Sequence, residues 1–301
     1  MKAVVTGAAG FIGGHLAASL EQEAHHVLTV DLLPLPFPRP WSNHIQARLE
    51  TPEAQRAIRE FNPDVVFHLA AESGIASSLD LDILRKGIQS NIEATVATAG
   101  SCLACGAKLV FAGTGAMYSL PQDRWSPQEA PWRSAYGITK SASEEYIRLY
   151  EQKGLRATII RLSNVYGHQW KPKAVVGSFL KAALEGRAAA IKGSGEQQRD
   201  FVYVDDVVLA FRMAGKVGDG KTVNVSTSIA TSVNKLWSMI EELVTDKIEV
   251  LHYSSESGGN PLSCMDFVTA EEELDWTPKT DLRSGLTKTI ADYLSRGWIK
   301  D

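Results

Sequence analysis

Lys2-Ala3-Val4-Val5-Thr6-Gly7-Ala8-Ala9-Gly10-Phe11-Ile12-Gly13, at the head of a 301-residue chain, is the stretch whose reading decides the fold. A short apolar run enters glycines spaced G-x-x-G-x-x-G, and an amphipathic segment from Phe11 to Leu20 follows. A strand, a glycine turn and a helix in this order set a pyrophosphate against a helix N-terminus, where free N–H groups and the helix dipole favour anions. Gly7 is expected to permit the turn, Gly10 to let the ligand approach the backbone, and Gly13 to let the helix lie on the strand. Phe11 and Ile12 open the helix and belong to the same ligand-binding turn. A glycine repeat alone is weak evidence; its place at the first strand-to-helix turn of an alternating chain is what points to a dinucleotide.

That alternation is visible outward from the turn. A second strand, His26 to Val30, ends in Asp31, about twenty residues past the glycines, where a carboxylate can accept both ribose hydroxyls of an adenosine. Asp31 would repel a 2′-phosphate, and Leu32-Leu33-Pro34-Leu35-Pro36 brings no immediate arginine, so NAD is expected over NADP. The proline-rich segment 34–40 reads as a surface loop, because the pattern resumes with a helix at about 52–61 and a strand at 64–68. A long helix at 81–104, a strand at 108–112, a helix at 134–153 and a strand at 157–162 continue it. The expected class is α/β: a doubly wound, Rossmann-type parallel sheet, with ligands at the carboxyl ends of its strands.

Composition narrows the functional classes. The chain is 44% hydrophobic and 22% charged, with net charge -4, which suits a globular protein and provides no basic stripe for nucleic acid. No apolar run approaches the ~18–20 residues that span a bilayer, and residues 1–6 lack a secretory pattern, so a cytoplasmic location is expected. Three cysteines do not make a disulfide framework. Cys102 and Cys105 form a C-x-x-C unsupported by a second pair or a histidine cluster, so they read as reduced packing thiols and no metal is expected.

The chemistry is expected at Tyr136-Gly137-Ile138-Thr139-Lys140. Positions i and i+4 share a helix face, so a phenol and an ammonium can reach one point. A free tyrosine titrates near ~10, so using it as a base at neutral pH needs a shift of roughly three units, about 4 kcal/mol. Lys140 supplies the positive charge expected to lower it. Tyr-x-x-x-Lys recurs by chance on amphipathic helices and becomes informative only through its company.

Five ordered motifs supply that company. Thr6 to Gly13, His68-Leu69-Ala70-Ala71, Tyr136-x-x-x-Lys140, Arg161-Leu162-Ser163-Asn164-Val165-Tyr166-Gly167 and Arg199-Asp200-Phe201-Val202-Tyr203-Val204-Asp205-Asp206 resemble the extended short-chain dehydrogenase/reductases. Within them the resemblance is to the NAD-dependent epimerase/dehydratase family that acts on nucleotide sugars, and it runs to about Gly285. It implies a Rossmann domain over 1–165, a segment near 199–228 that returns to it, and a smaller α/β substrate domain over 166–301. A strand at 222–225 would rejoin the large sheet. The resemblance also implies tightly held NAD, cofactor contacts from Leu69, Ala70 and Ala71, and a homodimer through helices 81–104 and 134–153.

The same resemblance assigns a third catalytic position to Thr114, whose hydroxyl would hydrogen-bond the sugar oxygen that Tyr136 deprotonates. Lys140 would hold the nicotinamide ribose as well. Asn164 matches a substrate-contacting position and Arg199 one that binds the substrate diphosphate, while Arg161 reads as structural. Asp205 and Asp206 are expected as N-cap and dipole partners of a helix at 207–214.

Departures from the family carry equal information. Dehydratase relatives follow the serine or threonine with an Asp-Glu pair; Gly115 and Ala116 stand here, so water elimination lacks its acid and base. His68-Leu69-Ala70-Ala71-Glu72-Ser73 nevertheless reads like the dehydratase branch. Where relatives grip the diphosphate with an arginine, counting back from Asp266 gives Glu256 and Gly259, and a carboxylate would repel phosphate. An adenine-contacting aspartate expected after the third strand is replaced by Arg48. Trp276 reads as packing, and Trp170 falls near the expected cleft.

Three functions fit this reading. The first and preferred is a nucleotide-sugar epimerase acting through transient oxidation at sugar C4. The second is a 4-ketosugar reductase or dehydrogenase with net redox turnover, against which Asp31 weighs, since such reductases often take NADPH. The third is a binding protein on a retired Rossmann scaffold, since fold alone never fixes function.

Overall fold

A computed structural model describes residues 1–35, 43–74, 79–117, 134–168, 174–244, 249–253 and 262–297. Trp170, Glu256, Gly259 and the proline-rich loop beyond Leu35 lie outside the described residues. The chain opens with β1 (Lys2–Thr6), α1 (Phe11–Gln22), β2 (His26–Asp31), β3 (Asn43–Gln46), α2 (Pro52–Phe61) and β4 (Val65–His68). A helical rod follows, made of α3 (Leu81–Gly87), a π-helical turn (Ile88–Glu93) and α4 (Ala94–Cys105). Then come β5 (Lys108–Thr114), α5 (Ala135–Glu151), β6 (Ala157–Leu162), β7 (Asn164–Tyr166), α6 (Ala174–Leu184), β8 (Ala189–Lys192) and β9 (Gln198–Tyr203). The remainder is α7 (Val204–Ala214), β10 (Lys221–Val225), β11 (Ala230–Ser232), α8 (Val233–Val244), β12 (Val250–Tyr253), β13 (Leu262–Ser263), α9 (Val268–Leu274) and α10 (Leu282–Ser295).

Seven of these strands form one parallel sheet in the order β10-β6-β5-β4-β1-β2-β3. This is the doubly wound Rossmann class. The chain runs outward from β1 through β2 and β3, then crosses to β4 and runs the other way. A crevice therefore opens between the carboxyl ends of β1 and β4, where such sheets bind ligands.

Alternation along each strand sorts the core onto two faces. Ala3, Val5, Phe67, Val110 and Ile160 meet Leu16, Ala17 and Leu20 of α1 and Val207, Phe211 and Ala214 of α7. Val4, Val66, Leu109, Phe111 and Ile159 face the other way, onto Ala54 and Ile58 of α2, Ala99 and Cys102 of α4, and Ile147 of α5. Because both faces are covered, the middle strands are apolar over most of their length, with polar residues at their ends, and β5 is buried at every position. Cys102 and Cys105 are free thiols, and burial pushes the Cys102 thiol well above its usual range.

A third apolar cluster gathers elements from Tyr166 onward. Phe179 and Leu180 of α6, Ile191 of β8, Phe201 and Tyr203 of β9, Leu236 and Trp237 of α8, and Leu286 and Tyr293 of α10 pack together. β9 pairs with β7, β11 and β13 outside the large sheet, and β8 pairs with β12. α7 and β10 join the first body instead: α7 lies on α1, and β10 adds to the sheet edge beside β6.

One carboxylate ties these bodies together. Asp200, fully buried in β9, accepts from Thr227 N (3.0 Å), Thr227 Oγ1 (2.9 Å), Ser228 N (2.9 Å) and Ser163 Oγ (3.3 Å), with the Cys264 thiol at 3.6 Å. Its own carbonyl accepts from Asn164 Nδ2 at 2.9 Å. Burial raises its pKa, and the donors from Thr227, Cys264 and Ser228 oppose that shift.

Asp205 and Asp206 do not cap α7 as the sequence suggested. Tyr203 occupies the N-cap position, with no side-chain cap, and both aspartates lie in the first turn, where they still complement the dipole. Asp206 instead accepts the backbone N–H groups of Lys279 (3.2 Å) and Thr280 (2.8 Å), while its carbonyl accepts from the buried Trp276 indole at 2.8 Å. The demands of a distant segment outrank local capping here.

Replacing Asp200 by alanine strands at least three donors in the interior, and should cost about 3–5 kcal/mol in urea unfolding at neutral pH. Asp200→Asn, which keeps one acceptor oxygen, should cost less. A loss below about 1 kcal/mol for the alanine variant would mean that the cluster is not what joins the bodies.

Candidate active site

The glycine turn folds as its spacing suggested. Gly7 sits at φ +72°, and a Cβ there would lie 2.6 Å from Ala70 N; one on Gly13 would lie 2.2 Å from the Gly7 carbonyl oxygen. At Gly10 a Cβ would meet only the Gly7 carbonyl, at 3.0 Å. Gly10 caps α1 without a side chain, and no acidic residue stands in the first turn. The N-terminal N–H groups of α1 are therefore left for an anion.

Two cavities meet at this turn. The first, of about 430 Å³, is lined by Gly7, Gly10 and Phe11 and extends past Asp31 and Leu33 to Arg48 and Glu50. The second, of about 370 Å³, shares Gly7, Gly10 and Phe11 and reaches Thr114, Tyr136 and Lys140 through Ile12 and Gly13. Leu69 and Ala71 border both, and Ala70 borders the first. Two halves joined at an anion-binding turn are the shape of a dinucleotide, so these residues fit the cofactor.

Asp31 is anchored for its part. Its Oδ2 accepts from Ala9 N at 2.9 Å and its Oδ1 from Leu33 N at 2.9 Å, so the same carboxylate steadies the glycine turn and faces the cavity. The segment after Asp31 brings no arginine, but the chain leaving the neighbouring strand does. Parallel pairing sets Asp31 opposite Gln46, and Arg48 follows into the same cavity.

The catalytic candidates come together at the far end. Ser134 Oγ accepts from Gly137 N at 3.0 Å and starts α5 just before Tyr136. Lys140 is one turn further, only 1% exposed, with Nζ 3.9 Å from the centroid of Phe111. Thr114 ends β5; its Oγ1 accepts from Ala116 N at 3.1 Å, which leaves the hydroxyl proton to be donated. Met265 Sδ would lie 2.6 Å from a Cβ on Gly115, so this sulfur holds the space where a side chain would stand.

Burial, not the i,i+4 pairing, dominates the titration of the pair. Desolvation pushes Tyr136 up to about 12, and it draws Lys140 down to about 7 against the opposing charge of Glu144. The expected lowering of the phenol by Lys140 is therefore not a property of the protein alone. Each isolated charge is penalised by the low dielectric, whereas a phenolate and an ammonium formed together offset part of each other's penalty.

Sequence reasoning missed the supports. Asn91, fully buried on the π-helical turn, accepts from Glu72 N (2.7 Å) and donates to Glu72 O (3.1 Å) and Thr139 Oγ1 (2.9 Å). It straps the loop after β4 to the helix that carries Tyr136 and Lys140. His68 bonds Thr6 Oγ1 (2.8 Å) and Thr95 Oγ1 (3.0 Å), joining β1, β4 and α4 beneath Phe111. Burial, with Lys140 nearby, lowers its pKa to about 3. Arg161 is structural, as read: its Nη2 donates to the buried Glu144 at 2.6 Å. Asn164 and Arg199 are not brought to the cavity wall; the first donates to the Asp200 carbonyl, the second to the Gln198 carbonyl at 2.7 Å.

The pattern of the NAD dependent epimerase/dehydratase family matches residues 3–226, most of the chain, from the glycine turn through Thr114, Tyr136 and Lys140. The chain belongs to that family. A UDP-glucose 4-epimerase of Mycolicibacterium smegmatis is 32% identical to this family member, over 98% of this chain and 99% of its own. The crystal structure of a UDP-glucose 4-epimerase with UDP-glucose from Thermotoga maritima superposes with a TM-score of 0.90 at 31% identity, covering 98% and 99% of the two chains. MoeE5 in complex with UDP-glucuronic acid and NAD gives 0.89 at 30%, covering 98% and 100%. As for the family, the cofactor of this epimerase/dehydratase member is NAD.

His68 provides a pH test of the site's frame. Its pKa is about 3 when folded against 6.5 as a free side chain, so the unfolded chain binds the extra proton in between. Stability from this group is fully present above pH 6.5 and is lost as pH falls toward 3, at up to about 1.4 kcal/mol per pH unit. Urea unfolding across this range should show a shallower acid loss in His68→Gln than in the parent. Equal slopes would mean that His68 is not held neutral.

Proposed function

We propose that this protein is a nucleotide-sugar epimerase that works by transient oxidation at sugar C4, on a UDP-hexose or UDP-hexuronic acid. The observation that carries the reading is the meeting of Thr114, Tyr136 and Lys140 in one cavity that continues into the glycine turn. NAD, when bound, supplies the hydride acceptor and returns the hydride. Tyr136 Oη takes the proton of the sugar hydroxyl and later gives it back. Thr114 donates to the same oxygen and fixes it. Lys140 stabilises the phenolate and holds the nicotinamide ribose. Gly7, Gly10, Phe11, Ile12 and Gly13 receive the pyrophosphate, Asp31 the adenosine ribose, and Leu69, Ala70 and Ala71 flank the cofactor. Asn164 and Arg199, beyond the cavity wall, are assigned to the substrate by resemblance.

Gly115 and Ala116, where a dehydratase would carry its acid pair, weigh against water elimination, and a side chain at Gly115 would require Met265 to shift. Asp31 weighs against an NADPH-dependent reductase. For the domains, we propose residues 1–165 with a returning segment near 199–228 as the cofactor half and 166–301 as the substrate half. Among the described residues no helix is long and apolar enough to cross a membrane, and a cytoplasmic location is part of the proposal.

Tyr136→Phe should lower turnover by several orders of magnitude while NAD and UDP-glucose still bind, since the ring is kept. Lys140→Met should leave residual activity that rises with pH toward the tyrosine range. Thr114→Ala should cost about 2–4 kcal/mol of barrier, the worth of one hydrogen bond to developing charge. The double variant Tyr136→Phe/Lys140→Met should be scarcely worse than Tyr136→Phe. Single-turnover absorbance of reduced nicotinamide measures all of these, and wild-type rates in Tyr136→Phe would sink the assignment.

The homodimer belongs to the same proposal. Ile83 and Ile88 on the α3 rod and Ile138, Tyr146 and Leu149 on α5 are exposed, apolar and carried by the two helices expected at the interface. Sedimentation velocity should report a dimer, and Ile138→Lys/Leu149→Lys should shift it to monomer. A monomeric parent at micromolar concentration would remove the interface.

A further inference from the structure

The cavity beyond the glycine turn is lined by three carboxylates, Asp31, Glu50 and Glu72, and one guanidinium, Arg48. Ala47 N donates to the Asp31 carbonyl at 2.9 Å, so the chain leaving β3 is delivered to the end of β2. From there Arg48 and Glu50 line the cavity together with Asp31, Leu33 and Ala9. The turn that presents them is fixed at both residues. The Arg48 carbonyl accepts from Thr51 N (3.1 Å) and Thr51 Oγ1 (2.7 Å), and the Glu50 carbonyl accepts from Gln55 Nε2 (2.9 Å).

Within this turn Arg48 Nε is ion-paired to Glu50 Oε1, and both side chains are partly buried, 34% and 19% exposed. Among the described residues only the Nε of Arg48 has a protein partner. Its two terminal nitrogens, the fork that suits a phosphate, are left uncommitted. An arginine beside the ribose carboxylate is the group that accommodates a 2′-phosphate in dinucleotide sites of this kind.

We propose that discrimination against NADP in this protein is shared between Asp31 and Glu50. Asp31 repels the 2′-phosphate directly. Glu50 acts as a positioning residue: it holds Arg48 by Nε and offsets its charge within the same cavity. The site thus contains a phosphate acceptor that its own neighbour keeps out of use. Arg48 alone would make the adenosine end tolerant of either cofactor; the pair makes it selective.

Calorimetric titration of the cofactor-free protein with NAD and with NADP tests this without any turnover. Glu50→Gln, with Asp31 intact, should tighten NADP about tenfold while NAD changes by less than about twofold, the gain being that of one charge-assisted contact. Adding Arg48→Ala should abolish the gain. Glu50→Ala, expected to give the same ratio, covers the case in which glutamine disturbs the turn, with circular dichroism as the folding control. An unchanged NADP-to-NAD ratio in both Glu50 variants would overturn the proposal. So would a gain that survives Arg48→Ala, which would be charge removal alone, or an Arg48→Ala variant that weakens both cofactors equally, which would make Arg48 a reader of the adenosine common to both.

Discussion

Hydrogen in place of a side chain at Gly7 and Gly13 lets three backbone segments touch: the end of β1, the start of α1 and the loop after β4. A methyl group at either position would push them apart by more than any rotamer could absorb. Everything else in the cofactor site is measured from that contact. It aims the free N–H groups of α1 at a shared point, brings Ala70 and Ala71 alongside, and leaves Ala9 N for Asp31 to hold. The crevice at the strand-order reversal exists in any sheet of this topology; these close approaches make it narrow enough to grip a pyrophosphate.

At the opposite end the controlling factor is dielectric. Lys140, Tyr136 and His68 are all pushed toward their neutral forms by burial. Neutral His68 is what makes a buried Lys140 tolerable, since a second cation beneath Phe111 would raise the cost further. The Phe111 face and the Glu144 carboxylate favour the ammonium, and the balance leaves it near the pH at which it can be charged or neutral. A site poised in this way gains the most when an opposite charge appears beside it, which is what loss of the Tyr136 phenol proton, required by the proposed mechanism, would produce.

The parts of this arrangement that were legible in the sequence are those fixed by local spacing. Glycines three apart, a tyrosine and a lysine four apart, and a carboxylate at a strand end declare themselves because their geometry is set by one turn or one helix. The misses are non-local. The resemblance placed Arg48 near the adenine, but its pairing with Glu50 and its sharing of a cavity with Asp31 follow only from β3 lying beside β2. Asp200 is one aspartate among many until strands from both bodies converge on it, and Met265 fills the space beside Gly115 from a segment 150 residues away. Asp206 was misread for the same reason, its carboxylate being taken by Lys279 and Thr280. The long helix was anticipated; the π-helical turn inside it was not, since no proline marks it and Gly87 at its edge has ordinary helical dihedrals, φ -63° and ψ -45°.

That turn has a bearing on how the chain can change in length. Each residue of a regular α-helix advances about 100° around the axis, so a widened turn leaves α4 out of phase with α3 on what is otherwise one rod. The offset lets the rod present Leu81 and Ile83 to the outside before the turn and Ala99 and Cys102 to the sheet after it, with Asn91 pointing at Glu72 in between. Losing a single residue anywhere in 88–93 would restore the phase and force a choice between the strap and the core. Substitutions here trade one side chain for another, but a one-codon deletion would dial the whole helix round, which makes the register of this segment as binding a constraint as the identity of its residues.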